Sequence, residues 1–137
     1  MDRTERDGMD HRFGVRVYYE DTDCMGVVYH ANYLRFLERA RTEFMASVGT
    51  SVAQWAEQDI MFPVYGMQIT FKAPARLYDH LTVISTVSRA SPFRLNFRQR
   101  IERDSDQRQI VEASVDIVCT DLKGNLRDLP ASGLEPA

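Results

Sequence analysis

The stretch NYLRFLERARTEFMASVG, residues 32–49, decides the fold of this chain. Its apolar residues recur at the i, i+3, i+4, i+7 spacing that lines up one face of an α-helix. These residues are Tyr33, Phe36, Leu37, Ala40, Phe44 and Val48. Asn32 suits the N-cap position and Gly49 the C-cap position. The stretch therefore predicts one amphipathic helix that must bury a single face.

Alternating apolar and polar residues on both sides of this helix predict β-strands. The first strand runs from Phe13 to Glu20, and Ser51 offers an N-cap for a short second helix through Trp55. Later strands are expected at 65–73, 81–88, 93–101 and 111–119, with a short last one at 126–129. The links at 89–92 and 104–107 are too short for crossover helices, so these neighbours are antiparallel. The fold class is α+β, with a long helix against an antiparallel sheet of about five to six strands.

Length and composition are those of one soluble globular domain. The 137 residues carry a formal net charge of −3, with 44% apolar and 27% charged side chains. No stretch approaches the ~18 uninterrupted apolar residues of a membrane span, and the N-terminus has charges where a signal peptide needs an apolar run. An isoelectric point near 5.6 gives no basic footprint for nucleic acid. We expect a cytoplasmic protein without a nucleic-acid partner.

Three parts are expected along the chain: a flexible segment over residues 1–12, one domain over 13–130 and a tail over 131–137. A chain of this length buries roughly two-thirds of its unfolded surface, which suffices for one core. The predicted sheet has a helix on one face only, and its edges stay open. A second copy is therefore expected to associate with it.

The stretch YYEDTDCMGVVYHA, residues 18–31, places two aspartates, a glycine and a histidine between a strand end and a helix start. A helix N-terminus presents unpaired N–H groups and the positive end of a dipole, which suit a developing oxyanion. A carboxylate opposite it could act as base or nucleophile on a carbonyl. A thioester suits so small a site, because its thiolate, with a pKa near ~8.5, leaves without a general acid.

Other chemistries find less support in the sequence. No GxSxG motif or Ser-His-Asp order is present. Asp21, Asp23 and His30 could be read as metal ligands, but a fourth ligand is missing. Cys24 and Cys119 lack metal-ligand spacing and are interpreted as free thiols. We expect neither a metal nor a cofactor.

Four pieces of the sequence resemble a known family: VRVYYEDTD, GVVYHANYLRFLERARTEF, FKAPARLYD and LP. The family is that of the hotdog-fold acyl-CoA thioesterases of the 4-hydroxybenzoyl-CoA thioesterase type, and the Tol-Pal-associated subgroup is the most similar. The resemblance covers roughly Val15 to Pro130. It implies hydrolysis of acyl-CoA with short, medium or small aromatic acyl groups. It also implies a hotdog dimer, often paired into a tetramer, with active sites at the subunit interface.

The resemblance also implies roles for single residues. Asp23 would be the catalytic carboxylate, the backbone N–H of His30 would polarise the carbonyl, and Gly26 would shape the turn. Val27 and Tyr29, from the same block, are expected to contact substrate. Participation of the His30 side chain, and the choice between base and nucleophile for Asp23, stay open. Cys24-Met25 departs from the family's smaller residues, so the acyl group is undetermined.

Charged residues outside this block have two interpretations each. Arg89 and Arg94 are our candidates for the phosphates of coenzyme A, as the arginines nearest the loop, with a solvated outer face as the alternative. Glu38 and Arg41 form an i, i+3 pair that is either intrahelical or, by the resemblance, near the dimer interface.

Two further functions remain possible at this point. One is a hotdog dehydratase acting on an acyl thioester, although the histidine-bearing dehydratase pattern is not visible. The other is a module that binds acyl-CoA or a protein without turnover, against which an intact loop with Asp23 argues mildly.

Overall fold

The computed structural model describes residues 4–7 and 10–134, with side chains from residue 10 onward. Six antiparallel strands form one sheet in the order β1-β2-β4-β5-β6-β3. The elements are β1 Thr4–Asp7, β2 Asp10–Arg16, α1 Asn32–Ser47, α2 Val52–Glu57, β3 Val64–Phe71, β4 His80–Ser91, β5 Arg94–Arg103 and β6 Gln109–Val118. The α+β class with one long helix is confirmed.

The core lies between α1 and one face of the sheet. The predicted apolar face of α1 is buried, and the ring of Phe44 meets that of Phe97 on β5 edge to face at 5.5 Å. Gly49 follows the helix with φ of +108°, a conformation that favours glycine. Ser51 caps α2 by accepting a hydrogen bond from the backbone N–H of Gln54, as its sequence predicts.

The ordered domain starts earlier and ends later than expected. β2 begins at Asp10, and the His11 side chain is fully buried beside the Phe44 ring. β1 pairs with β2, so the flexible segment expected over 1–12 is wrong for residues 4–7 and 10–12; residues 1–3, 8 and 9 lie outside the described part. At the other end Leu134 is buried in the core, which corrects the tail expected from residue 131. The pairing of β1 with β2 was not predicted because these strands carry charged residues without an apolar pattern. Their backbone N–H and carbonyl groups form the ladder whatever the side chains are.

Two strands differ from their predicted form. β3 lies at the edge of the sheet, so Tyr65 is 68% and Phe71 46% exposed although both fit the alternating pattern. No strand forms over 126–129, where Leu126 makes a single bridge to Thr120. The strand predicted to run to Glu20 corresponds to β2, which stops at Arg16, and Tyr19–Asp21 is a single turn of 3₁₀-helix. Within the described residues, no helix is both long enough and apolar enough to span a membrane.

Candidate active site

The loop from β2 to α1 is anchored by Asp21. Its carboxylate is buried and accepts two hydrogen bonds, from the backbone N–H of Tyr18 and from the side-chain amide of Asn32, both at 2.8 Å. Asp21 is thus a structural hydrogen-bonding partner within the loop. The prediction that Asn32 caps the helix is wrong. Asn32 is the first residue of α1, Ala31 occupies the N-cap position, and the Asn32 side-chain amide donates to Asp21 instead.

A tight turn follows the anchor. Thr22 and Val28 form an antiparallel bridge, and within it the backbone N–H of Asp23 donates to the carbonyl of Val27 at 2.9 Å. Gly26 closes the turn by donating to the carbonyl of Asp23 at 3.1 Å, and its φ is +77°. A Cβ there would meet no atom within 4 Å, so backbone conformation rather than space favours glycine.

Asp23 is held differently from Asp21. It is half-buried, and its Oδ1 accepts one hydrogen bond, from the backbone N–H of Met25 at 2.8 Å. Within the described part of the chain, the second carboxylate oxygen accepts none. Asp23 is thus oriented by the turn and still has acceptor capacity to spare.

The start of α1 presents free donors. The backbone N–H of Asn32 donates to the carbonyl of Tyr29, and that of Tyr33 to the carbonyl of His30. Those of His30 and Ala31 donate to no protein atom in the part of the chain that the structure describes. They precede a helix of 16 residues, whose N-terminal end carries a positive partial charge. An anion or a polarised carbonyl oxygen is the group that fits there.

A second wall comes from the segment after β3. The backbone N–H of Val28 donates to the carbonyl of Ala75 at 2.8 Å, and that of Ala75 donates to the Tyr33 hydroxyl at 3.0 Å. Burial raises the pKa of Tyr33, so this hydroxyl stays neutral. The wall and the helix start border an open cavity of about 310 Å³, lined by Val28, His30, Tyr33, Phe71, Lys72, Ala73 and Pro74.

Sequence reasoning placed the loop and missed this wall. Phe71, Lys72 and Pro74 line the cavity, and Phe71 lies 5.9 Å from the His30 ring, edge to face. Their stretch, FKAPARLYD, carried part of the resemblance, and that was the available signal. Tyr29 is half exposed with its ring 4.7 Å from that of His30, and Val27 bridges to Arg76.

Arg89 and Arg94 lie at the other end of the sheet. The loop begins beside His80 at the start of β4, whereas Arg89 and Arg94 flank the β4–β5 hairpin. Nine residues of β4 separate His80 from Arg89, about 30 Å. Arg89 donates to the carbonyl of Pro130 at 2.7 Å, and the Arg94 guanidinium lies 5.1 Å above the Tyr65 ring. The expectation that these arginines are nearest the loop is wrong within one chain, because the β4–β5 hairpin lies at the end of the sheet opposite to the loop.

No group of three or more potential metal-binding side chains comes together in the described part of the chain. Both carboxylate oxygens of Asp21 accept hydrogen bonds from Tyr18 and Asn32, so only two of the three possible metal ligands in this loop remain, Asp23 and His30. The loop therefore provides one carboxylate and one set of backbone donors.

Comparison with known proteins identifies the family of the chain. The family model of the thioesterase-like superfamily matches residues 17–135. The acyl-CoA thioester hydrolase YbgC of Escherichia coli O6:H1 is 43% identical over 122 residues, which cover 88% of this chain and 90% of that protein. A probable thioesterase from Bartonella henselae has a crystal structure that superposes with a TM-score of 0.83 at 38% identity, covering 88% of this chain and 99% of that one.

A more distant structure shows the fold. The 4-hydroxybenzoyl CoA thioesterase superposes with a TM-score of 0.84 at 20% identity, covering 90% of this chain and 95% of that one. The fold and the relatives together define a hotdog enzyme of thioester hydrolysis. The chain belongs to the thioesterase-like superfamily, and its resemblance to the hotdog acyl-CoA thioesterases is confirmed.

Proposed function

We propose that this thioesterase hydrolyses acyl-CoA to a free acid and coenzyme A, with Asp23 and the backbone N–H of His30 as its catalytic groups. One observation carries the proposal: unpaired N–H groups at the start of α1 belong to the same loop as a carboxylate with a free oxygen. The relatives that share most of this chain's length are named for the same reaction.

The reaction follows from these groups. The thioester oxygen accepts a hydrogen bond from the His30 N–H, and the helix N-terminus stabilises the charge that develops on it. Asp23 takes a proton from a water molecule whose oxygen attacks the carbonyl carbon. The C–S bond then breaks, and the coenzyme A thiolate leaves without a proton donor because its pKa is near ~8.5. In the alternative, Asp23 attacks the carbonyl carbon directly, and the coenzyme A thiolate leaves while an acyl anhydride with Asp23 forms; water then hydrolyses the anhydride, which releases the free acid and restores the Asp23 carboxylate.

Neighbouring residues would position the substrate. Gly26 and Val27 hold the turn against Arg76, and the exposed ring of Tyr29 packs beside His30 at the cavity mouth. The cavity suits short, medium or small aromatic acyl groups near the reacting carbonyl. Two free cysteines are consistent with a reducing compartment, and we place the activity in the cytoplasm.

A homodimer, alone or paired into a tetramer, would complete the site. β3 is an edge strand beside the cavity and leaves one row of backbone groups without a ladder partner among the described strands. If two copies pair through β3 about a two-fold axis, the strands run antiparallel. The Phe71 end of one copy then lies beside the Tyr65 end of the other. Arg94, stacked on Tyr65, would approach the Asp23 loop of the other copy.

Mixed dimers test this arrangement. Asp23→Asn chains supply no base, and Arg89→Ala/Arg94→Ala chains bind acyl-CoA weakly. A dimer of one chain of each kind has one site with both defects and one with neither. If sites are shared, mixing restores kcat/KM at low acyl-CoA to about half of wild type per mixed dimer. Activity equal to the plain average of the two parent enzymes would show that each site is built from one chain.

The function itself is tested by thiol release. A thiol reagent follows free coenzyme A while purified protein acts on a panel of acyl-CoA esters, and we expect steady turnover. A dehydratase would instead consume a 3-hydroxyacyl-CoA without releasing thiol, and a binding module would release none from any ester. Either outcome would reject the hydrolase.

A further inference from the structure

A second, larger cavity lies along α1. It has a volume of about 790 Å³ and, like the first, is lined by residues of both α1 and β3. We call this second cavity the α1–β3 trough. It is lined mainly by apolar side chains, and Leu34, Glu38, Arg41 and Met45 on α1 line it together with Val64 and Met67 on β3. Leu34 lies one helical turn from the free N–H of His30.

Arg41 is the cation inside this trough. Arg41 is only 8% exposed, and one of its guanidinium nitrogens donates to Gln99 Oε1 at 3.0 Å. Gln99 is fixed in this orientation because its amide nitrogen donates to the carbonyl of Leu37 and to the hydroxyl of Ser85. No carboxylate of the described residues comes within salt-bridge distance of Arg41. Arg41 is among the residues that line the trough.

A buried arginine is usually paired with a carboxylate, and Arg41 has no such partner among the described residues. Burial lowers the pKa of Arg41, although a guanidinium stays charged near neutral pH. Glu38, one turn earlier on α1, is exposed and contributes only a long-range attraction. A buried charge with a neutral partner is costly, and a carboxylate offers a guanidinium two parallel hydrogen bonds. The trough therefore has an apolar wall and one site for an anion at depth.

We propose that Arg41 binds a carboxylate at the far end of the acyl group, so that the enzyme favours acyl-CoA esters of dicarboxylic acids. This inference rests on the proposed function, since it takes the reacting carbonyl to lie at His30. Arg41 follows His30 by eleven residues, about 16 Å along the helix, and its side chain leans back toward the N-terminus. A chain of several carbons lies along the apolar wall, and its terminal carboxylate meets the guanidinium.

Two substrate series test the proposal on the wild-type protein. Acyl-CoA esters from about four to about ten carbons, a span chosen from the helix rise, are compared in pairs of equal length that end in a methyl or a carboxylate group. We expect kcat/KM to favour the carboxylate by at least about tenfold at one length, as for a buried charge-assisted pair. The preference should fall for shorter and longer chains.

Variants assign that preference to one side chain. Arg41→Met should remove the preference while methyl-ended esters keep their kcat/KM within a few-fold. Arg39→Met is the matched control, because Arg39 is exposed on the same helix and loses the same charge. Arg41→Lys, which keeps the charge without the fork, should retain part of the preference. This variant also serves if Arg41→Met does not fold.

The outcomes separate the two proposals. No thiol release from any ester would reject the hydrolase itself. Turnover of both series at equal kcat/KM by the wild-type protein would reject the role of Arg41 alone. Dissociation of Arg41→Met or Arg41→Lys dimers with an unchanged ratio between the series would also reject it, and Arg41 would then bind a carboxylate of a second copy.

Discussion

Two parts of the loop before α1 use the same side chain for opposite purposes. In the anchor, Tyr18 to Thr22, the carboxylate of Asp21 is buried and accepts hydrogen bonds on both oxygens. In the turn, Asp23 to Val27, the carboxylate of Asp23 accepts one and stays half-buried. A saturated carboxylate stabilises, and one with a free oxygen remains able to take a proton. From this difference we expect the anchor to contribute stability and the turn to contribute the chemistry.

Replacing Asp23 should have the largest effect on activity. Asp23→Asn keeps the oxygen that accepts from Met25, so the turn forms, but the amide cannot accept a proton. We expect kcat for thioester hydrolysis to fall at least ~100-fold, the lower range for loss of a general base. The thermal unfolding midpoint should stay within a few degrees of wild type. A folded variant of nearly full activity would rule out the mechanism.

The same substitution at Asp21 should give the reverse pattern. Asp21→Asn turns one carboxylate oxygen into a donor that faces either the Tyr18 N–H or the Asn32 amide. Leaving a buried donor unpaired costs about 1–3 kcal/mol, so the free energy of unfolding should fall by that amount. At a temperature where the variant is folded, kcat should decrease less than for Asp23→Asn. Urea denaturation beside steady-state kinetics checks both values.

Arg94 should affect binding of the nucleotide rather than chemistry. If it contacts phosphate in the dimer, Arg94→Ala raises KM for acyl-CoA several-fold and leaves kcat nearly unchanged, because ground and transition states share the contact. The effect should shrink at high salt and vanish for a truncated thioester without the nucleotide. Arg98→Ala is the control, since Arg98 is an exposed arginine four residues along the same strand. Equal KM for both variants and wild type at low salt would make Arg94 a surface residue.

The smallest effect is expected at the turn glycine. Gly26→Ala forces an L-residue into a positive φ, at a cost of about 1 kcal/mol. Gly14→Ala, at a site where a Cβ also meets nothing but φ is not positive, should cause no such loss. Equal unfolding free energies for the two variants would show that the turn readily adopts another conformation.

Local patterns predicted the parts of the fold that depend on local sequence. The helical spacing from Tyr33 to Val48 and the alternation in β5 and β6 follow from which side chains can be buried. The order of strands does not follow from such patterns. Tyr65 and Phe71 fit a buried face, but β3 lies at the sheet edge in one chain.

In the candidate site, too, the features that are local in sequence were predicted and those that depend on tertiary pairing were not. Asp23, Gly26 and His30 lie close along the chain, so the loop was found from sequence. The wall at residues 71–76 reaches the loop through tertiary pairing of Val28 with Ala75. Arg89 and Arg94 were misplaced because the hairpin geometry, rather than their spacing, determines which end of the sheet they occupy.

One paired measurement tests directly whether Asp21 stabilises the loop while Asp23 acts in catalysis. The free energy of unfolding and kcat are determined on Asp21→Asn and Asp23→Asn under identical conditions. We predict that Asp23→Asn loses at least ~100-fold in kcat with little change in stability, and that Asp21→Asn loses stability with a smaller loss of kcat. A larger loss of kcat in folded Asp21→Asn than in Asp23→Asn would show that Asp21, rather than Asp23, is the catalytic carboxylate.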